Sequence, residues 1–450
     1  MNMVNAESVE EKSTFERFKF KSKEEVESKI NELGLELKSS NNIDVLLKPV
    51  TLKNNITIPN SICSLPMEGY DSEPDGGPSE ISFAKYKRVA EGGSGLIWVE
   101  ACAVVPEGRT NSREFWINKN SKDKFKKLVD IIKESALKKN NEEPVVIIQL
   151  THSGRYSKPE GHPAPVIAHH SPYLDPLQNI SEDYPLISDE ELDELKDKFV
   201  DAAILAENAG FDGIDIKSCH GYLLEEILAS HTRKYSKYGG SFENRTRFLL
   251  ETMESAASAL SKSFLTTRLG ITDFVPYPYG FGMSNDGSLN YDLDEPLKLI
   301  EKLKKYIPLL GISIGNPYYK PHYGRPFDTP VKGSYIPPEH PLESMARIVE
   351  ITKKVQMANP ELPIVGFGYT WLRQYMPYFV SYIKEQNWAS IIGLGRAILA
   401  YPDIVNDLKE RKELDPKKVC ITCSLCTAMM RNGTVSGCSV RFPDIYRQYL

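Results

Sequence analysis

The chain has 450 residues, of which 41% are hydrophobic and 26% charged, and its formal net charge is −6. This composition is that of a globular protein long enough to bury a large core. The acidic balance argues against a basic nucleic-acid surface, and no apolar run is long enough to span a membrane. The first residues are too charged for the apolar segment of a signal peptide. We therefore expect a cytoplasmic protein whose thiols stay reduced.

Residues 1–44 are rich in Lys, Glu, Ser and Asn and form a predicted N-terminal extension. Apolar residues from Val26 to Leu37 have helical spacing, which predicts a peripheral helix over 23–37. Gly34 weakens this prediction because glycine disfavours a helix interior. A partly disordered leader fits the same composition equally well.

From residue 45 onward, short apolar runs alternate with amphipathic helical segments. The predicted strands are Ile62–Leu65, Gly95–Ala101, Val145–Leu150, Gly213–Lys217, Leu265–Gly270, Leu310–Ile314, Ile364–Phe367 and Ser390–Gly393. The clearest helix begins at Ser188, where Glu191 completes a capping box, and Gly210 ends it. Eight strands alternating with helices predict a (β/α)8 TIM barrel over residues 45–412, with a doubly wound sheet as the alternative. No G-x-G-x-x-G follows an early strand, so a Rossmann unit is not indicated.

In such a barrel, the residues just after each strand line one active face. Polar side chains lie on or just after strands 3 to 6, namely Gln149, Lys217, His220, Arg268 and Asn316. The segments 366–368 and 393–396 are rich in glycine, which lets backbone N–H groups bind a phosphate. Arg396 would add a charged contact. This distribution suits a phosphorylated planar cofactor.

Seven segments, in this order, resemble the old yellow enzyme family. They are PNSICSLPMEG, GLIWVEACAVVPEGR, VVIIQLTHSGRYS, AGFDGIDIKSCHGYLLEEIL, YGGSFENRTRFLLE, IVGFG and IIGLGRAILAYPDI, and they span roughly residues 45–410. HGYLLEEIL followed by YGGSFENRTRF is the most specific pair. Within the family, the chain is most similar to the 2,4-dienoyl-CoA reductase and trimethylamine dehydrogenase branch. The resemblance implies an FMN-dependent ene-reductase that acts on an enone or dienoyl-type small molecule.

The resemblance also implies contacts for the FMN. Arg268 would face the flavin N1 and O2 region, Gln149 would hydrogen-bond the pyrimidine, and Ala101 would let the ring lie flat. Further cofactor contacts are expected from Pro66, Met67, Glu68, Gly366, Gly368, Gly395 and Arg396. A salt bridge inside the barrel is the alternative role for Arg268.

Three residues after strand 4 form the predicted catalytic group. Tyr222 matches the family's proton donor, and His220 matches one of two residues that hold the substrate carbonyl. Lys217 stands where many relatives have the other, a histidine, and its ammonium would stabilise a developing enolate. Alternatively, Lys217 forms a structural ion pair with Glu68 or Asp215. Glu68 also departs from the family, which usually has threonine or cysteine near this point, and a turn residue facing solvent is its alternative role.

Four of the seven cysteines fall within nineteen residues, Cys420, Cys423, Cys426 and Cys438. The pattern C-x2-C-x2-C-x11-C supplies four thiolates for one [4Fe–4S] cluster in a predicted segment over 413–450, and a four-cysteine zinc site is the alternative. In the resembling branch the cluster relays electrons to FMN, and an FAD- and NAD(P)-binding module usually follows. The sequence ends twelve residues after Cys438. We therefore expect an external donor, either ferredoxin-like or a separate NAD(P)H-oxidising flavoprotein, with direct reduction by NAD(P)H as the alternative.

Two other functions fit parts of the sequence. An amine dehydrogenase of the same fold would need an aromatic cage for a cation, for which Tyr318, Tyr319 and Trp371 are candidates. The first two lie with His322 in IGNPYYKPHYGRPFD, a predicted lid after strand 6. The other function is that of a zinc-stabilised, non-catalytic binding subunit. It would explain why Glu68 and Lys217 depart from the family pattern.

Overall fold

The computed structural model describes residues 14–450, in which eight parallel strands form a closed barrel. They are β1 (Ile62–Ser64), β2 (Leu96–Ala103), β3 (Val145–Thr151), β4 (Gly213–Ile216), β5 (Phe264–Thr272), β6 (Leu310–Ile314), β7 (Ile364–Gly366) and β8 (Ile391–Leu394). Each strand pairs with the next, and β8 returns to β1 with Ile392 opposite Ile62. The predicted barrel is therefore confirmed. The doubly wound alternative is wrong, because such a sheet is open and this one closes on itself.

Helices alternate with the strands and form the outer layer. They are α1 (Glu80–Glu91), α2 (Lys122–Asn140), α3 (Asp189–Asn208), α4 (Phe242–Ala259), α5 (Asp294–Leu303), α6 (Pro341–Ala358), α7 (Met376–Glu385) and α8 (Ile404–Arg411). Strands β2, β3 and β5 are buried along their whole length. This burial explains their nearly continuous apolar sequences, since one strand face meets the barrel interior and the other meets the helices.

Shorter helices and strands accompany the barrel. The short helices are Lys23–Glu32, Asp175–Gln178, Leu223–Leu228, Arg396–Ala400, Leu425–Arg431 and Pro443–Tyr446. A hairpin pairs Val50–Thr51 with Thr57–Ile58, and Phe115–Trp116 adds a short strand beside β2. Within residues 14–450, no helix has both the length and the apolar character needed to cross a membrane.

Local hydrogen bonds set the bounds of two predicted helices. In α3, the Ser188 hydroxyl accepts from the Glu191 N–H at 3.1 Å, and the Glu191 carboxylate accepts from the Ser188 N–H at 2.7 Å, as predicted. The N-terminal helix ends at Glu32 and is shorter than predicted. Gly34 is the physical reason, because its φ of +66° lies in the left-handed region and cannot continue the helix. Residues 1–13 of the predicted extension lie outside the described residues.

The C-terminal segment folds back over the barrel. The Ser436 N–H donates to the Gly69 carbonyl at 2.7 Å, and the Asn111 amide donates to the Gly433 carbonyl at 3.2 Å. Gly69 follows β1 and Asn111 follows β2. The segment therefore covers the loops at the carboxyl ends of these two strands.

Arg155, in the QLTHSGR segment, stabilises the loop after β3. Its fully buried guanidinium pairs with Glu226, 3.0 Å from Nε, and with Asp175. We expect Arg155→Met to lower the free energy of unfolding by about 3–5 kcal/mol, because both carboxylates lose their cation. Urea denaturation measures the change, and the exposed Arg113→Met is the control, with an expected change within about 0.5 kcal/mol. Equal unfolding midpoints in the two variants would contradict this assignment.

Candidate active site

A cavity of about 210 Å³ lies at the carboxyl ends of the barrel strands. The predicted residues that line it are Pro66, Met67, Glu68, Gln149, Lys217, His220, Tyr222, Arg268, Gly368, Gly395 and Arg396. Ala101 and Gly366 do not line it. Ala101 is buried within β2, and a Cβ on Gly366 would lie 2.4 Å from the Tyr369 hydroxyl, so this glycine serves packing. Barrel closure thus brings together residues that lie on or just after six different strands.

Arg268 is a buried cation with unused hydrogen-bonding capacity. Its side chain projects from β5 into the cavity, and its Nε has no partner within residues 14–450. None of the ion pairs in this part of the chain includes Arg268, which disfavours the salt-bridge alternative. A buried charged donor without a partner is costly, so the site favours an anionic or electron-rich ligand here.

Gln149 is held in place by a buried carboxylate. Its amide donates to Asp215 at 2.6 Å, and the Trp98 indole N–H donates to the same oxygen at 3.0 Å. Burial raises the pKa of Asp215 to about 6, opposed by the hydrogen bonds from Gln149 and the Arg268 N–H. The amide nitrogen of Gln149 is therefore engaged, and its oxygen is left as an acceptor for a ligand in the cavity.

The loops after β7 and β8 suit a phosphate. Gly368 has a φ of +101°, and a Cβ on Gly395 would lie 2.8 Å from the Met67 sulfur, so both positions favour glycine. Arg396 donates to the Pro326 carbonyl at 2.8 Å, while its buried Nη1 has no partner among the described residues. Together with the unpartnered Nε of Arg268, this donor set fits FMN.

Glu68 lies at the centre of a polar cluster. Its Oε1 accepts from the Tyr222 hydroxyl at 2.9 Å and from the Lys217 ammonium at 3.3 Å. The ammonium also lies 3.6 Å from the centre of the Tyr222 ring. With 12% of its side chain exposed, Glu68 is not a turn residue facing solvent. Of the predicted ion-pair partners of Lys217, the one within salt-bridge distance is Glu68.

Burial sets the protonation of the two other catalytic candidates. Burial, and then the charge of Glu68, raise the pKa of Tyr222 well above its ordinary value. Burial, with the nearby Arg268 and Lys217 cations, lowers the pKa of His220 well below its ordinary value. At neutral pH the pocket therefore presents a phenol and a neutral imidazole. The left-handed backbone of His220 and Gly221, at φ of +69° and +70°, turns the chain so that the histidine and the tyrosine line one cavity.

Sequence reasoning missed part of the lining. Additional residues come from the loop after β6 and the C-terminal segment, namely Pro317, Arg325, Cys426, Thr427, Met430, Arg431 and Ser436. Pro317 and Arg325 lie in the predicted lid, which was the available signal. The residues between Cys426 and Ser436 depend on how the C-terminal segment folds back, which no local pattern encodes.

The predicted aromatic cage is not assembled at this cavity. Tyr318 lines it and stacks on Tyr156 at 3.7 Å between ring centroids. The Tyr319 ring instead contacts Tyr173, and Trp371 packs against Phe18 outside the cavity. A hydrogen bond joins His322 Nδ1 and the Tyr335 hydroxyl, and His322 does not line the cavity.

The four clustered cysteines surround a second, smaller cavity. Cys426 and Arg396 line both cavities, so the two sites adjoin. The Thr422 N–H donates to the Cys420 sulfur at 3.4 Å. In the part of the chain that the structure describes, no group of three or more His, Cys, Asp or Glu side chains is placed to hold a metal ion. The four cysteines therefore share the lining of one small cavity.

Residues 45–292, more than half of the chain, match the NADH:flavin oxidoreductase / NADH oxidase family. An NADPH dehydrogenase of Bacillus velezensis is 35% identical over 232 residues, covering 51% of this chain and 64% of that relative, which is less than two thirds of its length. A solved 2-naphthoyl-CoA reductase superposes with a TM-score of 0.71 at 19% identity, over 90% of this chain and 58% of its own. An old yellow enzyme homologue from Zymomonas mobilis gives 0.62 at 19%, over 88% and 98%.

The two solved structures share the fold at low sequence identity, and the family match rests on the sequence itself. The matched range covers β1 to β5 and includes Gln149, Lys217, His220, Tyr222 and Arg268. The chain belongs to the NADH:flavin oxidoreductase / NADH oxidase family, in agreement with the resemblance of its motifs to the old yellow enzyme family.

Proposed function

We propose that the protein reduces an activated carbon–carbon double bond of an enone or dienoyl-type molecule, with FMN bound at the carboxyl ends of the strands. The observation that carries this proposal is the meeting of Lys217, His220 and Tyr222 with Arg268 around one cavity. When bound, FMN would supply hydride chemistry, accepting hydride from NAD(P)H or single electrons from an iron–sulfur donor. One neighbour in fold is named a 2-naphthoyl-CoA reductase, which is consistent with an unsaturated acyl substrate.

Two arginines would hold the cofactor. The unpartnered Nη1 of Arg396 would bind the phosphate beside the glycines after β7 and β8, and the unpartnered Nε of Arg268 would meet the electron-rich pyrimidine. Gln149 would accept a hydrogen bond from the ring through its free amide oxygen. The two arginine contacts would each relieve a polar atom that burial otherwise penalises.

Three side chains would act on the substrate. Lys217 and the neutral His220 would donate to the carbonyl oxygen and stabilise the negative charge that develops there. Tyr222 would protonate the α-carbon, since its raised pKa keeps the phenol protonated at neutral pH. Lys217 also neutralises Glu68, so this carboxylate need not repel an electron-rich cofactor.

An amine dehydrogenase has less support. Of the three aromatic residues considered for a cation cage, Tyr318 lines the cavity, whereas Tyr319 and Trp371 do not. A non-catalytic, zinc-stabilised subunit also has less support, because Lys217, His220 and Tyr222 meet at one cavity as a catalytic group would.

We further propose that Cys420, Cys423, Cys426 and Cys438 hold a [4Fe–4S] cluster that relays electrons to FMN. In a cubane each thiolate binds a different iron, so the sulfurs stay apart around the cluster. All four cysteines line one small cavity, as the ligands of one cluster would. Cys426 lines both cavities, so electrons would have a short path. A ferredoxin-like protein or a separate NAD(P)H-oxidising flavoprotein would serve as the donor.

The purified protein should be yellow and should release FMN on acid treatment, identified by chromatography. Arg396→Met should weaken FMN binding roughly 10- to 100-fold, because a charge-assisted hydrogen bond contributes about 1.5–3 kcal/mol. Titration of the apoprotein with FMN measures this, with Arg113→Met as the control. Anaerobic mixing of dithionite-reduced protein with α,β-unsaturated carbonyl compounds then tests the reaction. Recovery of FAD alone would overturn the assignment of FMN. The absence of a reduced product would overturn the proposed reaction.

A further inference from the structure

A buried chain of hydrogen bonds leads away from Tyr222 through residues that the proposed reaction does not use. The Tyr222 hydroxyl donates to Glu68 Oε1 at 2.9 Å. The Tyr70 hydroxyl lies 3.3 Å from Glu68 Oε2 and 2.9 Å from Thr110 Oγ1. The Thr110 hydroxyl donates to Glu114 Oε2 at 2.7 Å. Every link from Tyr222 to Glu114 is therefore a hydrogen bond.

Glu114, at the far end, has the surroundings of a neutral acid. Only 1% of the residue is exposed, and its Oε1 has no partner among residues 14–450. A carboxylate left in this state would carry a large desolvation cost. Burial, and then the charge of Glu68, raise the pKa of Glu114 to about 8.

Glu68, in contrast, has the surroundings of a carboxylate. The Lys217 ammonium lies 3.3 Å from Oε1, and two tyrosine hydroxyls are within reach of its oxygens. Tyr70 and Thr110 join the two carboxyl groups. The raised pKa of Glu114 keeps a proton at neutral pH on the carboxyl farther from Tyr222.

We propose that Glu114 stores the proton that re-protonates Tyr222, and that Thr110, Tyr70 and Glu68 conduct it. The inference rests on the proposed function, in which Tyr222 is the acid. The Tyr222 O–H bond breaks, its proton forms the C–H bond at the α-carbon, and a phenolate remains. Once the Thr110 hydroxyl turns from Glu114 to Tyr70, Glu114 gives its proton from Oε2 to Thr110 Oγ1, and Thr110 and Tyr70 each pass on one proton. Glu68 receives a proton on Oε2, and rotation of its carboxyl group brings that O–H bond to the Tyr222 phenolate, which takes the proton. Glu114 ends as a carboxylate, no electron moves in this relay, and one solvent proton refills it per turnover.

The relay concerns the phenolate of Tyr222, which is unfavourable at this site. Tyr222 is 2% exposed, and burial beside Glu68 strongly disfavours its phenolate. A proton held a few hydrogen bonds away shortens the life of that phenolate. The remaining groups that act electrostatically on Glu114 or are affected by it are Cys102 on β2, Arg109 in its own loop, Lys217 after β4 and Tyr318 after β6.

Glu114→Gln tests the store, because glutamine keeps an oxygen that accepts from Thr110 but has no acidic proton. With an unsaturated acceptor, the wild-type rate should be full below about pH 8 and fall above it, as Glu114 loses its proton. In the variant, the fall of the rate above about pH 8 should disappear. The variant should also turn over at least about tenfold more slowly at pH 7 and show a larger solvent isotope effect. Cofactor reduction should be unchanged. Glu107→Gln, an exposed acid of the same loop, should leave all four measurements unchanged.

Tyr70→Phe breaks the same path in the middle and retains the ring. It should reproduce the loss seen in Glu114→Gln, and the double variant should lose no more, because both changes interrupt one relay. Infrared spectroscopy should detect a protonated carboxyl at pH 7 that is absent from Glu114→Gln, whatever the activity. Glu114→Gln with the wild-type rate, pH profile and isotope effect would overturn the relay. If Glu114→Gln does not fold, the relay is tested by the rate of Tyr70→Phe and by an infrared titration of the wild-type protein. A wild-type protein that reduces no double bond would instead overturn the proposed function.

Discussion

Tyr222→Phe should slow the reduction of an unsaturated carbonyl compound by about two to four orders of magnitude, the usual contribution of a positioned general acid. The phenylalanine ring fills the same space but has no proton for the α-carbon. Reduction of the bound cofactor should proceed at the wild-type rate, since Tyr222 takes no part in it. Stopped-flow absorbance of the flavin, followed separately in the two half-reactions, distinguishes these steps.

Tyr318→Phe is the matched control for this experiment. Its hydroxyl lies 3.4 Å from that of Tyr222, and both side chains line the cavity. Its loss should change the rate by only a few-fold, because Tyr222 keeps the stronger hydrogen bond to Glu68. Equal rates for the wild-type protein and Tyr222→Phe would remove the tyrosine from the reaction.

Cys423→Ser should abolish turnover driven by a protein electron donor and remove bound iron. The wild-type protein, purified without oxygen, should contain about four irons per chain, and the variant should contain almost none. Turnover driven by dithionite acting directly on the flavin should persist in the variant, because the barrel site is intact. Metal analysis, the cluster's paramagnetic resonance signal and the two kinds of turnover are the measurements.

Cys102→Ser is the control for the cluster experiment, because Cys102 is a buried thiol of β2 and is not one of the four clustered cysteines. It should retain iron and donor-driven turnover. Zinc in place of iron would contradict the cluster. Full rates with NADH alone in Cys423→Ser would show that the flavin needs no relay.

The sequence by itself predicted the barrel, because the information for it is local. Apolar periodicity distinguishes strands from helices within a few residues, and eight alternations leave few parallel arrangements. The same holds for the capped start of α3 at Ser188 and Glu191. Since side chains after parallel strands face one end of a barrel, the cavity positions of Lys217, Tyr222 and Arg268 also followed from their order.

Contacts between loops were decided only by the tertiary structure. Glu68 and Lys217 are 149 positions apart, and the sequence left both an ion pair and a solvent-facing carboxylate open. Barrel closure places β1 near β4 across the cavity, and side-chain rotamers then choose the partner. The path from Tyr222 to Glu114 and the cover of the C-terminal segment arise in the same way. Such contacts depend on where the whole chain places two loops, and no spacing along the sequence encodes that distance.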